Sequence, residues 1–352
     1  MRKKQIILIY PKFSTFVEKD FLSLEKKARV IKYEFHSEKQ IFKFTYELVR
    51  LFLFLLKNIN KTDILYSWFA GFHSLLPAIF SKVFNKKMVI ITGGTDAVSI
   101  PEIEYGIFYK KNMQYFFTKS SYKLADMILP VNKSLINSVN YYVDKKGVKV
   151  GIMHFVKNVK AKIVELPTGY DSDKWIFKEG VKEQTVLTVA GIDNIKTYKR
   201  KGIDLFIETA RLLKDVKFII IGVSPDINKM IQKDKPNNLV VHEYIENSLL
   251  VNYIAKSKVY CQFSLSEGLP NALCEAMLCE CIPVGSNASG IPDGIGDSGF
   301  ILKERDANKA ASLIEKALNA KDSLGKEARQ HIINNFLHEK REQSLYKLLE
   351  LE

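Results

Sequence analysis

Short apolar runs alternate with longer stretches whose apolar positions recur at helical spacing, almost throughout the chain. The first half holds six such runs: "QIILIY" from Gln5, "RVIKYEF" from Arg29, "DILYSW" from Asp63, "KMVIIT" from Lys87, "DMILPV" from Asp126 and "AKIVELP" from Ala161. Five more follow: "TVLTVA" from Thr185, "VKFIIIG" from Val216, "NLVVHEY" from Asn238, "KVYCQFS" from Lys258 and "CIPVGS" from Cys281. Runs this short and continuous predict strands buried on both faces, and the helical patterns between them predict parallel sheets covered on both sides. The first helix is predicted from Thr15, with Thr15 and Glu18 as a capping box. An irregular stretch, "TGYDSDKWIFKEGVKEQ", interrupts the series halfway. We therefore expect an α/β chain of two doubly wound, Rossmann-like domains facing each other across a cleft. Residues 1–170 would form the first and residues 171–335 the second.

At 352 residues with 47% apolar positions, the chain can fill two cores, and disorder is excluded. The longest apolar run, "LFLFLL" from Leu51 to Leu56, is too short to span a bilayer. The first residues lack the order of a signal peptide, so a cytoplasmic location is expected. All four cysteines fall between Cys261 and Cys281 without the paired spacing of a zinc site, which predicts buried free thiols. The histidines are scattered, and no protein-held metal or cofactor is indicated. The net charge of +14 is uneven. Residues 1–170 carry 28 Lys and Arg against 13 Asp and Glu, while the remainder carries 25 against 26. The first half is thus built to meet something acidic. Nucleic acid is not expected, because no nucleic-acid-binding motif appears and arginine is scarce.

Ligands of doubly wound sheets sit at the carboxyl ends of strands, and three sequence features fall there. The first is "EGLPNALCEAM" from Glu267 to Met277. Pro270 suits the first turn of a helix, so Asn271, Ala272 and Leu273 would offer free N–H groups to an anion. Glu267 precedes that helix and Glu275 lies in its second turn, where acids could hold hydroxyls. A ligand with both a pyrophosphate and sugar diols, a nucleotide sugar, would use all of these. The second feature is "KTYKRKGIDLF", whose Lys196, Lys199, Arg200 and Lys201 could reach such a pyrophosphate. The third is "ITGGTDA", in which Gly93 and Gly94 permit close approach and Asp96 would point into the cleft. "DSD" at Asp171–Asp173 matches a D-x-D by which some enzymes hold a divalent metal on a nucleotide sugar, but its place in the connector predicts a cap or linker.

Together, "SLSEGLPNALCEAMLCECIPVGSNASGIPD", "VAGIDNIKTYKRKGIDLFIETARLL" and "LPTGYDSDKW" resemble the signature of the GT-B retaining glycosyltransferases of family 4. The resemblance implies a metal-independent hexosyltransferase that moves a sugar, with retention, from a nucleotide-sugar substrate to a glycan or lipid-linked acceptor. It implies that Glu275 holds the ribose, that Glu267 contacts the donor sugar beside Gly268, Leu269, Pro270 and Asn271, and that Lys201 binds the diphosphate with Arg200 or Lys196. Asp96 would contribute from the first domain, and a final helix of residues 336–352 would cross back onto that domain. The chain departs from the family pattern at Ile192, where an Arg is usual, and at Glu280, where a helix-ending Gly is common. It also lacks a Gly-Gly loop after the first strand, for which N–H groups near Thr15 and Phe16 could substitute. Two alternatives are a nucleotide-sugar epimerase on the same architecture and a basic binding module on an inactive scaffold. Finally, "EYGIFYKKNMQYFFTKSSYK" from Glu104 interleaves Tyr105, Phe108, Tyr109, Tyr115, Phe116 and Tyr122 with four lysines. That pattern predicts an interfacial helix docking the basic half on the anionic inner face of a membrane.

Overall fold

The computed structural model describes residues 2–37, 40–177 and 180–351; Lys178 and Glu179 of the connector, and Glu352 of the final segment, lie outside the described residues. All eleven predicted runs form strands. In the first sheet, β1 (Gln5–Tyr10), β2 (Arg29–Glu34), β3 (Ile64–Trp68), β4 (Lys87–Thr92), β5 (Met127–Pro130) and β8 (Lys162–Ile163) run parallel in the order β2-β1-β3-β4-β5-β8. A small antiparallel hairpin, β6 (Ser138–Asn140) with β7 (Val148–Val150), stands apart. In the second sheet, β9 (Glu183–Ile192), β10 (Lys217–Val223), β11 (Leu239–His242), β12 (Ser257–Gln262), β13 (Ile282–Ser286) and β14 (Phe300–Leu302) run parallel in the order β11-β10-β9-β12-β13-β14. The chain is thus two Rossmann-like α/β domains of GT-B architecture. The continuous burial along β1, β3, β12 and β13 explains why their sequences run apolar instead of alternating.

In each sheet the strand order reverses once, between β1 and β3 and between β9 and β12. Those reversals leave crevices at the carboxyl ends of the strands, and they face each other. Helices Ile41–Asn58, Phe72–Val83 and Met113–Leu124 lie side by side against the first sheet. Helix Thr15–Lys27 packs instead against the last helix, His338–Leu349. That last helix follows an extended residue, Leu337, where Tyr170 N–H donates to Phe336 O and His338 N–H donates to Tyr170 O, each at 2.9 Å. Leu345, Leu349 and Leu351 join the core of the first domain. The anchor is a buried fork: Arg341 Nε and Nη2 donate to Asp20 at 2.7 and 2.8 Å, while Nη1 donates to Leu166 O and Pro167 O.

Two local expectations are corrected. Helix Thr15–Lys27 starts with Ser14 at its N-cap and no side-chain cap bond, so Thr15 and Glu18 do not form the capping box. The aromatics from Tyr105 to Tyr122 do not lie on one continuous helix. The chain there makes short turns at Pro101–Ile103 and Ile107–Tyr109 before the helix begins at Met113. Phe108 and Tyr122 are buried, Phe108 stacks on Phe155 at 4.5 Å, and Tyr115 packs edge-on against Phe108. Phe108 and Tyr122 thus serve the core, while Phe116 stands 56% exposed on the helix.

Candidate functional site

A cavity of about 370 Å³ lies where the two crevices meet. From the first domain it receives Thr15 and Phe16 after β1, Trp68 and Phe69 at the end of β3, and Gly93 after β4. From the second it receives Val189 to Gly191 of β9, Gln262 of β12, Lys201, and the segment Glu267–Glu275. Gly268, Leu269, Pro270, Asn271 and both glutamates of the motif therefore border one space. Pro270 is the N-cap of helix Asn271–Leu278, no side chain caps it, and the first intrahelical bond is Cys274 N–H to Pro270 O. The N–H groups of Asn271, Ala272 and Leu273 lead out of the helix at its positive end.

Lys201 Nζ lies 2.6 Å and Arg200 Nη1 3.4 Å from Glu267 Oε1. Local geometry fixes both cations. Arg200 O accepts from Leu265 N–H at 2.8 Å, and Gly202, at φ +68°, turns the chain so closely that a Cβ there would meet Phe263 O at 2.2 Å. Arg200 also covers the ring of Tyr105 from the first domain, 4.8 Å from its centroid. Burial pushes the Glu267 carboxyl up, but Lys201 and Arg200 outweigh it and hold it below its ordinary value. Burial pulls the Lys201 ammonium down against the opposing pull of Glu267. Behind the loop, Gly290 N–H donates to Glu267 O at 3.1 Å, and a Cβ on Gly290 would strike Gly268 O. The "SGIPD" segment is thus a brace for the Glu267 loop.

Glu275 is electrostatically different. Burial raises its carboxyl from 4.5 to about 7, against the pull of Lys19 and Lys174. Lys19, on the first-domain helix, donates to Gly169 O at 2.8 Å and sits over the Tyr170 ring. Tyr170 in turn donates to Asn271 Oδ1 at 3.0 Å. Sequence reasoning missed Lys19, Trp68, Phe69 and Gln262. Only the position of Trp68 and Gln262 at strand ends could have flagged them.

Two expected site residues stand elsewhere. Asp96 does not point into this cavity. Its Oδ1 accepts from Gly93 N–H and Gly94 N–H at 3.2 and 3.1 Å, and its Oδ2 from Ala70 N–H and Tyr122 OH at 3.0 and 2.8 Å. It is fully buried and pins the glycine loop from below, which makes it a positioning residue. Gly94, at φ +142°, and Gly93 do permit close approach, but to the Gly268 loop: a Cβ on Gly268 would come 2.7 Å from Gly93 O. Lys196 is exposed and ion-paired with Glu104 of the first domain, outside the cavity lining. In the connector, Asp171 Oδ1 accepts from Asp173 N–H at 2.9 Å and Lys174 N–H at 3.2 Å, so it caps a turn. Among the described residues, no group of three or more His, Cys, Asp or Glu is placed to hold a metal. The four cysteines are buried and free.

Residues 171–337 match the family described as "Glycosyl transferases group 1". An uncharacterized 41.2 kDa protein in the cps region of Klebsiella pneumoniae is 25% identical over 289 residues, 76% of this chain and 73% of that protein. The processive diacylglycerol alpha-glucosyltransferase of Acholeplasma laidlawii is 28% identical over 189 residues, 48% of this chain, and the match spans only 51% of that protein. Among solved structures, Anabaena HepE in complex with UDP superposes with a TM-score of 0.72 at 13% identity, covering 99% of both chains. Residues 171–337 thus carry the match to the group 1 glycosyl transferase domain, on a chain whose two domains have the GT-B fold.

Proposed function

We propose that the chain transfers a hexose from a nucleotide-diphosphate sugar to a hydroxyl of a glycan or lipid-linked acceptor, with retention at the anomeric carbon and without a protein-held metal. The observation that carries this reading is the convergence of Lys201, Glu267, Glu275 and the start of helix Asn271–Leu278 on one interdomain cavity, with Arg200 paired to Glu267 at its edge. As the sugar leaves, negative charge grows on the departing diphosphate. Two fixed cations and a helix N-terminus stabilise that charge without reorganising. Glu275 accepts from the ribose hydroxyls, and Glu267, released from the cations by the diphosphate, accepts from the sugar hydroxyls. Asp96 acts only by holding the Gly93–Gly94 loop against the Glu267 loop. The UDP complex of HepE supports a uridine donor, and the diacylglycerol glucosyltransferase supports a glycolipid acceptor.

The test is a thermal-shift panel of UDP-, GDP- and ADP-sugars, followed by product analysis with and without acceptor. A cognate donor at 100 times its dissociation constant adds about 2.7 kcal/mol of stability. Failure of all donors to shift the protein would overturn the reading. Conversion of the donor to an isomer with no acceptor present would reassign the chain to epimerisation.

A further inference from the structure

Helix Ile41–Asn58 is apolar on two faces, and only one of them is used. Phe44, Leu51 and Leu55 face the first sheet and are buried. On the outside, Phe42, Tyr46, Val49, Leu53 and Leu56 recur every three or four residues and are 87%, 69%, 50%, 58% and 44% exposed. A helix apolar all round is ordinarily buried, and an exposed stripe of this length marks an interaction surface. The neighbouring helix Phe72–Val83 extends the patch with exposed Ile79 and Val83.

The charges around the stripe identify its occupant. Lys43 and Lys57 stand exposed at the two ends of the helix, with Lys61 just beyond. The sole acid on the helix, Glu47, is buried and paired with Arg50 at 2.7 Å. A second copy of the chain docking here about a two-fold axis would bring the same lysines together, which like-charge repulsion opposes. A surface that is apolar below and anionic above satisfies both features at once. No helix among the described residues is long and apolar enough to cross a membrane, so this helix would lie in the interface plane.

We infer that helix Ile41–Asn58 is the docking element of the chain on an anionic lipid surface, with Phe42, Tyr46, Val49, Leu53 and Leu56 entering the acyl boundary and Lys43, Lys57 and Lys61 meeting the headgroups. This deepens the proposed function, on whose lipid-linked acceptor it rests for its purpose, by naming the surface where that acceptor is met. It also places the membrane contact outside the segment Glu104–Lys123, whose Phe108 and Tyr122 are core, on a helix that the charge interleaving did not flag.

The experiment is cosedimentation of the full chain with phosphatidylcholine vesicles, with and without phosphatidylglycerol, at low and high salt. Wild type should sediment with the anionic vesicles and be released by salt. F42S/L53S, at exposed positions that leave the core intact, and K43E/K57E, which leaves the apolar stripe intact, should each weaken binding at least tenfold. Phe116→Ser, on the helix Met113–Leu124, should bind as wild type. No binding by wild type, equal binding to neutral vesicles, or wild-type binding by both double variants would overturn the inference. So would a dimer in sedimentation equilibrium that F42S/L53S dissolves, which would assign the stripe to a second copy. Donor-induced thermal shifts measured without vesicles separate this outcome from failure of the transferase reading.

Discussion

Glu275 should weaken the fold that holds it. Its carboxyl is raised by burial from 4.5 to about 7. Between those values the folded chain holds a proton that the unfolded chain has released, so stability falls as pH rises through the window. A difference of about 2.5 units corresponds to roughly 3.4 kcal/mol. Glu275→Gln removes the titration while keeping the shape. The variant should be more stable than wild type by about 3 kcal/mol at pH 8 and by less than about 1 kcal/mol at pH 5, from the same linkage. For a domain of this size, the pH 8 gain is roughly 6–12 °C in Tm. Urea and thermal unfolding of both proteins across this range measure it directly.

The same group gives a signature in donor binding. Ribose hydroxyls that donate to Glu275 favour its ionised form, so binding expels a proton when the solution is below about pH 7. Wild-type affinity for the cognate donor should therefore rise about tenfold from pH 6 to pH 8, and calorimetry in buffers of different ionisation enthalpy should register proton release. Glu275→Gln should bind the donor weakly, with little pH dependence. If the variant is no more stable than wild type at pH 8, or its gain fails to shrink toward pH 5, the acid is not strained by burial. If wild-type affinity is flat with pH, Glu275 does not receive the ribose.

Other changes test other parts. Lys201→Ala should lower kcat by about 10²–10³-fold while the protein stays folded, Glu267 keeping its pair with Arg200; wild-type turnover with every accepted donor would remove it from the mechanism. Arg341→Ala leaves the Asp20 carboxylate buried with only Tyr66 OH and Trp68 Nε1 as donors, and should cost about 3–5 kcal/mol in urea unfolding. Glu280 occupies the left-handed region at φ +62°, so Glu280→Gly should stabilise by about 0.5–1 kcal/mol, read as a higher Tm. Transfer should survive EDTA; complete loss with rescue by manganese or magnesium would return Asp171 and Asp173 to consideration as ligands.

The strands were legible because parallel strands buried on both faces leave an unbroken apolar run, as β1 and β12 do. The strands that escaped, β6, β7 and β14, are three residues each, too short to show a pattern. In the second domain the residues that line the cavity come from short local segments, a strand end followed by a turn and a helix start, so their spacing in sequence already encodes their spacing in space. That is why Lys201, Glu267 and Glu275 could be named beforehand. The first domain offers no such segment. Lys19 faces Glu275 only because the first-domain helix is set against the connector and the cleft closes over it. Asp96 shows the limit from the other side: an acid after a glycine pair can aim outward at a ligand or downward at its own loop, and Tyr122, Gly93 and Gly94 decide for the loop.

The exposed stripe of helix Ile41–Asn58 was hidden for a related reason. A helix with apolar residues on both faces has no contrast between them, so its sequence reads like any core helix until the sheet claims one side. The first domain thus contributes to the cavity through surfaces that no short motif records, while the second contributes through segments that one does.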